Sequence, residues 1–300
     1  MKVKLSELQE SFPELSHLVP MGTYGGQKVV LRAVYQDRPV VLKLIRPSRS
    51  QYARIEREIT AVARLHSPHV PRILKHGWRT LSHTRVAVLY IIEPFIQGRN
   101  LREILHACGS IGFIPSLALA DALVRVCMEL ERVHLVHRDI KPENIMIDVQ
   151  GHIWLIDFGM VRVLDMSSLT GTDLFRGVGT LGYAAPEQFM NLKSMISIRS
   201  DLYAVGVVLY EAVTGKNPFL AAWPNSVEIM RHMQQHALPA LDHPLDPDGM
   251  FSRWLQWLTQ PNVLQRPETA RDAYHVLTNI LTRFPDLPGK ARTHLRAMVT

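Results

Sequence analysis

His137-Arg138-Asp139-Ile140-Lys141-Pro142-Glu143-Asn144, with Asp157-Phe158-Gly159 after it, is the most informative stretch of this 300-residue chain. It concentrates carboxylates, an amide, a lysine and an arginine around short apolar runs. Ile145 to Ile147 and Ile153 to Ile156 read as two strands, because β-branched runs bounded by polar turns favour a sheet. Paired as a hairpin, they return Asp157 toward the loop that carries Asp139 and Asn144. The His-Arg-Asp triplet, the Asn and the Asp-Phe-Gly triplet are each matched by chance about once in twenty per position, so their joint occurrence is no accident of composition.

Upstream, a glycine-rich turn from Gly22 leads into the β-branched run Val29 to Leu31, a polar turn at Gln36 to Arg38, and a second strand, Val40 to Ile45. Ile55, Ile59, Val62 and Leu65 recur at helical spacing, which predicts a helix over 54–65 that stops at Ser67 and Pro68. Val70 to Leu74 and Arg85 to Ile92 read as further strands. After Gly98 the pattern turns helical: Leu101 to Ala107, Ser116 to Val133, and most of the chain from Asp201 onward. The expected fold class is α+β and bilobal, a small mostly β N-terminal lobe with one helix and a larger mostly α C-terminal lobe, joined near Glu93 to Gly98. No internal repeat is visible.

Composition narrows the function classes. The chain is 47% hydrophobic with a formal net charge of +7, so it has material for a large core and no like-charge block that would keep it disordered. The longest apolar run, Val86 to Ile92, is far short of the roughly 20 residues that span a bilayer. The polar N-terminus lacks a secretory leader, and Cys108 and Cys127 stand apart, without metal or disulfide spacing. A cytoplasmic protein with no membrane partner is expected. Lys and Arg number 15 against 7 Asp and Glu in residues 1–98, and 19 against 20 in the remainder. The basic residues alternate with apolar ones, so a solvated face is the better reading and nucleic acid is not expected as a partner.

With these motifs assembled, the chain resembles the eukaryotic-type (Hanks-type) serine/threonine protein kinases over residues 18 to 280. The resemblance implies an N-lobe over 18–93, a hinge over 94–98 and a C-lobe over 99–280, with an extension at 1–17 and a tail at 281–300. It also implies the chemistry. Phosphoryl transfer needs a placed hydroxyl, metal to neutralise the triphosphate and cations on the transferring oxygens, with little covalent work for the protein. In the family pattern Asp139 takes or orients the hydroxyl proton, Lys141 supports the γ-phosphate, Asn144 holds one Mg²⁺, and Asp157 holds the metal on the β- and γ-phosphates. The implied cofactors are ATP and Mg²⁺, with Mn²⁺ as an alternative.

The N-lobe matches more loosely. Lys43 fits the strand lysine that meets the α- and β-phosphates, and Glu58 fits the helix glutamate that pairs with it. With Val30 set in register, Thr23, Gly25 and Lys28 fall where GxGxxG expects glycines, while Gly22 and Gly26 lie beside them. Gly22, Gly25, Gly26 and Val30 are therefore the expected nucleotide-covering residues, and fewer in-register glycines predict a stiffer loop. Ile92 is expected as the gatekeeper behind the adenine, with backbone groups of Glu93 and Phe95 at its edge.

The fold also hosts small-molecule phosphotransferases, so the acceptor needs its own argument. Gly179, Thr180, Tyr183, Ala185, Pro186 and Glu187 match the segment that floors the peptide site in serine/threonine kinases. Lys141 with Thr180 is the serine/threonine signature. Asp201 is expected to brace the catalytic loop, and Arg266 to pair with Glu187. Arg138 beside Asp139 is a natural partner for a phosphate on the following loop, where Ser167, Ser168, Thr170 and Thr172 are the candidates. A protein substrate, autophosphorylation, and a monomer or weak dimer are expected. The rival readings are a nucleotide-binding scaffold and a small-molecule phosphotransferase.

Overall fold

A computed structural model describes residues 3–21, 28–46, 52–158, 180–220 and 225–300. The described residues divide into two compact units, one drawn from Met1–Arg64 and Pro71–Ile96, the other from Leu65–Val70, Gln97–Gly159 and Leu169–Thr300.

The first unit is a five-stranded antiparallel sheet in the order β1-β2-β3-β5-β4, formed by Leu15–Pro20, Lys28–Tyr35, Arg38–Ile45, Lys75–Thr80 (β4) and Ala87–Pro94 (β5). Gln36 and Asp37 join β2 to β3 with φ of 51° and 60°, the left-handed pair that a tight hairpin of right-twisted strands requires. Alternation then sorts the side chains. Val29, Leu31 and Ala33 of β2 and Val40, Leu42 and Leu44 of β3 share one buried face with Ile92 and with Leu8 of helix α1 (Leu5–Ser11). The opposite face sets Ile45, Leu89 and Ile91 against Ile55 and Ile59 of helix α2 (Tyr52–Val62).

Residues 1–17, read from sequence as an extension, supply part of this core. Leu8, Phe12 and Leu15 are fully buried. Glu7 is buried too and accepts the Thr84 N–H and hydroxyl and the His83 N–H, bonds that hold its carboxyl below the usual range against the opposing effect of burial. The strand expected at Val70 to Leu74 is a correction: the strand there is β4, Lys75–Thr80. Pro71 removes a backbone donor from the expected run, and its apolar residues serve different cores, Val70 packing in the second unit and Ile73 in the first.

The second unit is mainly helical, with a three-stranded sheet of β6 (Gly98–Asn100), β7 (Ile145–Asp148) and β8 (Ile153–Leu155). Its helices are α3 (Leu101–Cys108), α4 (Phe113–Arg132), the short α5 (Pro186–Phe189), α6 (Ile198–Thr214), α7 (Ser226–Gln235), α8 (Met250–Leu258), α9 (Ala270–Leu281) and α10 (Leu287–Val299). Central α6 starts where the Ser197 side chain accepts the Arg199 N–H and stops at Gly215, whose φ of 76° suits a residue without Cβ. It is buried along most of its length, which its nearly continuous apolar sequence dictates. The tail helix α10 buries Leu287, Ala291 and Leu295, and Arg99 donates to the Met298 carbonyl, so the chain end belongs to this unit's core.

Candidate active site

The expected hairpin forms, with Ile145 opposite Leu155 and Ile147 opposite Ile153. The Ile156 N–H donates to the Asn144 carbonyl at 2.9 Å, which ties the end of the 137–144 loop to the strand leading into Asp157. Asn144 sends Nδ2 to the Asp139 carbonyl at 2.8 Å and to its Oδ2 at 3.2 Å. Thr180 donates its hydroxyl to Asp139 Oδ1 at 2.9 Å, while Lys141 Nζ donates to Thr180 Oγ1 at 3.0 Å and lies 3.1 Å from Asp139 Oδ2. Thr180 thus contacts both Asp139 and Lys141, as its motif implied. Both oxygens of Asp139 are thereby oriented.

His137 and Asp201 hold this loop from beneath. His137 is buried; its Nε2 lies 3.1 Å from the Ile156 carbonyl and its Nδ1 3.3 Å from the Asp139 N–H. That pairing requires the proton on Nε2, since the carbonyl can only accept and the amide can only donate. Buried Asp201 accepts the His137 N–H at 2.7 Å and the Arg138 N–H at 2.8 Å. Gln188 donates to the Arg138 carbonyl at 3.0 Å, a support that sequence reading missed although Gln188 directly follows Glu187. These bonds hold Arg138 at φ 66°, a left-handed conformation that disfavours a residue with a Cβ. Asp157 stands at φ 63°, which a short acidic side chain tolerates better.

Burial pushes the Asp201 carboxyl up to about 7 from an ordinary 3.8, the two backbone donors offsetting only part of the desolvation. The fold therefore keeps this proton at pH values where the unfolded chain has released it. Its contribution to stability falls as pH rises from about 4 to about 7, by a total on the order of 4 kcal/mol. Urea midpoints followed over about pH 5 to 8 should show wild type losing ground to Asp201→Asn, and parallel profiles would refute the assignment.

Around Thr180 the rest of the motif is structural. Glu187 and Arg266, both buried, pair through two contacts of 2.7 and 3.0 Å. The Tyr183 hydroxyl donates to Glu211, and Arg102 bonds Glu211 at 2.7 Å and Glu143 at 2.9 Å. Arg102 carries no motif signal, and its role becomes visible only from this geometry.

In the first unit, Val30 pairs with Lys43 across β2 and β3 and so shares its face. Lys43 Nζ donates to Glu93 Oε2 at 2.6 Å, with both side chains about one-tenth exposed or less. Leu42 stands opposite Ile92, and Lys43 opposite Ile91; Ile92 therefore packs on the face away from Lys43, while Glu93 shares the lysine's face. The Phe95 N–H is already bonded to the Pro39 carbonyl at 3.0 Å, and its ring lies under the Arg32 guanidinium at 4.6 Å. Glu58 stands half-buried on α2.

The Asn144 amide nitrogen is committed to Asp139, which turns Oδ1 the other way. That oxygen and the Asp157 carboxylate are hard donors of the kind Mg²⁺ takes, so the residues fit the expected cation. Gly22, Gly25, Gly26, Gly159, Ser167, Ser168, Thr170 and Thr172 lie outside the described residues, as do Thr23 and Gly179.

The sheet holds a buried lysine, Lys43, and the helical unit a braced loop that carries Asp139, Lys141 and Asn144. The family model described as "Protein kinase domain" matches residues 17–285, and the chain belongs to that family. It is 31% identical to serine/threonine-protein kinase PknB of Mycobacterium leprae over 76% of this chain and 37% of the relative. It is 33% identical to a probable serine/threonine-protein kinase of Corynebacterium efficiens over 73% of this chain and 33% of the relative. A probable serine/threonine-protein kinase, pknA2, of Bifidobacterium longum is 27% identical over 90% of this chain and 35% of its own length. The chain thus spans about a third of the length of these curated relatives. Among the described residues no helix is long and apolar enough to cross a membrane.

Proposed function

We propose that the chain transfers the γ-phosphoryl group of ATP to serine and threonine hydroxyls of proteins, itself included, in the cytoplasm. One observation carries this reading: Thr180 links Asp139 and Lys141 in a single hydrogen-bonded set. Asp139 presents a fixed carboxylate to an incoming hydroxyl, orients it in line and accepts its proton as the bond to phosphorus forms. Lys141 faces the oxygens on which charge gathers. Asn144 and Asp157 would hold Mg²⁺, which when bound offsets the negative charge of the phosphates. Lys43 supports the triphosphate from the sheet. The surrounding 180–188 segment, pinned through Glu187 and Arg266, supports a peptide acceptor over a small molecule.

Incubating the chain with γ-labelled ATP, Mg²⁺ and peptides ending the choice between Ser, Thr and Tyr should label the Ser and Thr peptides only. Intact-mass spectrometry of the same samples should show added phosphate on the chain. Labelling of a small hydroxyl acceptor in preference to every peptide would overturn the substrate class, and no transfer to any acceptor would overturn the reaction.

A further inference from the structure

We propose that a cavity between the tail helix α10 and the body of the helical unit binds a small apolar molecule that carries one anionic head group. The cavity holds about 560 Å³, a volume within the range of small-molecule sites. Its walls come from α4, the β7–β8 turn, α9 and α10, with His69 beside them, and all of these belong to the second unit. Leu287, Ala291, Arg292 and Leu295 of α10 lie beyond the residues 17–285 that match the kinase family. One wall is therefore built by a part of the chain outside the shared catalytic segment. Gly151 lets that wall stand close: its φ is 78°, and a Cβ there would lie 2.5 Å from the Arg292 carbonyl oxygen, an approach that only a residue without Cβ permits.

The lining is amphipathic. Ile153, Leu281, Phe284 and Leu287 supply apolar surface. Beside them Asp121 on α4 accepts the Tyr274 hydroxyl at 3.0 Å and Arg125 Nε at 2.9 Å, and the Arg125 guanidinium lies 4.8 Å from the centre of the Tyr274 ring. Asp121 is the one carboxylate of the lining, against two guanidinium groups, Arg125 and Arg292. Arg125 meets Asp121 through Nε, and exposed Arg292 makes no ion pair among the described residues. His69 and His152 stack in parallel at 5.0 Å, with His69 Nδ1 2.9 Å from the Ile153 carbonyl and His152 Nε2 2.7 Å from the Pro68 carbonyl. Burial holds the His69 imidazole below its usual range, so the permanent cations here are the two arginines. An excess of one positive charge beside apolar walls selects an anion with an apolar body, and the planar guanidinium fork suits a carboxylate.

The probe is 6-fluoronaphthalene-2-carboxylate, titrated into the full chain and followed by fluorine NMR, with the matching carboxamide and methylammonium compounds as head-group controls. The carboxylate should bind with Kd below about 1 mM, and the neutral and cationic compounds at least about tenfold more weakly. Half-buried Ala118 on α4 also lines the cavity, so Ala118→Phe fills it from a helical position and should weaken binding about tenfold or more. Arg292→Glu, on the exposed face of α10, should do the same through charge alone. Arg231→Glu, an exposed charge reversal on α7 away from the cavity, should stay within about twofold of wild type. Thermal melting checks that each variant is folded. Absence of carboxylate binding up to about 10 mM would overturn the proposal. So would equal affinity for the three head groups, wild-type affinity in folded Ala118→Phe or in Arg292→Glu, or an equal loss in Arg231→Glu. None of these readouts depends on phosphoryl transfer.

Discussion

Asp139→Asn will lower kcat by about 10²- to 10⁴-fold, the range that a positioned general base contributes, while the melting temperature and the affinity for nucleotide stay close to wild type. The fold tolerates the change for a specific reason. Asp139 Oδ2 faces two donors, Lys141 Nζ at 3.1 Å and Asn144 Nδ2 at 3.2 Å, whereas Oδ1 faces the Thr180 hydroxyl at 2.9 Å. An asparagine satisfies all three by directing its oxygen at the two fixed donors and its amide at Thr180, whose hydroxyl rotates to accept. Shape and hydrogen bonds survive; only the ability to take a proton is lost. Steady-state rates with saturating ATP, set beside calorimetric binding of MgADP, check both halves. Retention of more than a tenth of wild-type kcat would show that Asp139 is not the group that handles the hydroxyl proton.

Arg266→Met will destabilise the helical unit by about 3–5 kcal/mol, because it leaves the Glu187 carboxylate buried without its cation. The guanidinium here is fully engaged. Nε donates to the Gln260 carbonyl at 2.7 Å, Nη1 to Glu187 at 2.7 Å and the Arg199 carbonyl at 3.3 Å, and Nη2 to Glu187 at 3.0 Å and the Pro261 carbonyl at 3.1 Å. Its plane also lies 4.8 Å from the centre of the Tyr203 ring. Ser200, donating at 2.6 Å, is the neighbour that still meets Glu187 after the substitution, and a hydroxyl does not neutralise a charge. Denaturant midpoints should fall accordingly. Adding Glu187→Gln should recover the portion due to the bare carboxylate, but not the portion due to the three carbonyls that lose a donor. If the single variant costs less than about 1 kcal/mol, the pair is not the pin on which the 180–188 segment depends.

The contrast between these sites and Lys43 shows what kind of information a sequence carries. The grouping of Asp139, Lys141 and Asn144 on one loop, with Asp157 after the hairpin, was legible because it is written in short separations along the chain. Local chain geometry converts such spacing directly into position. Thr180, Glu187, Asp201 and Arg266 are far from that loop in sequence, yet the resemblance carried their roles, and the geometry bears out the brace at Asp201, the contact at Thr180 and the Glu187 pair. The contact of Glu93 with Lys43 had no such signal. Within Ile91-Ile92-Glu93-Pro94-Phe95 every residue reads equally well on either face of a strand, and no local signal marks which one meets Lys43. Register is settled by pairing with β3, which the Phe95 N–H extends past Pro94 through its bond to the Pro39 carbonyl.

The same division applies to the whole chain. By itself the sequence determined the α+β class, the order of a β-rich part before a helical one, the kinase family and the residues of the 137–157 loop and hairpin, all features written in periodicity or in short fixed spacings. Only the tertiary structure decided that residues 1–17 and the last helix are core material, that Gln188 and Arg102 support the site, and that the carboxylate of Glu93 faces Lys43. Each of these depends on contacts between segments distant in the chain. Their partners are chosen by which face of a strand or helix is left to bury, a choice that strand register and packing make and local sequence does not.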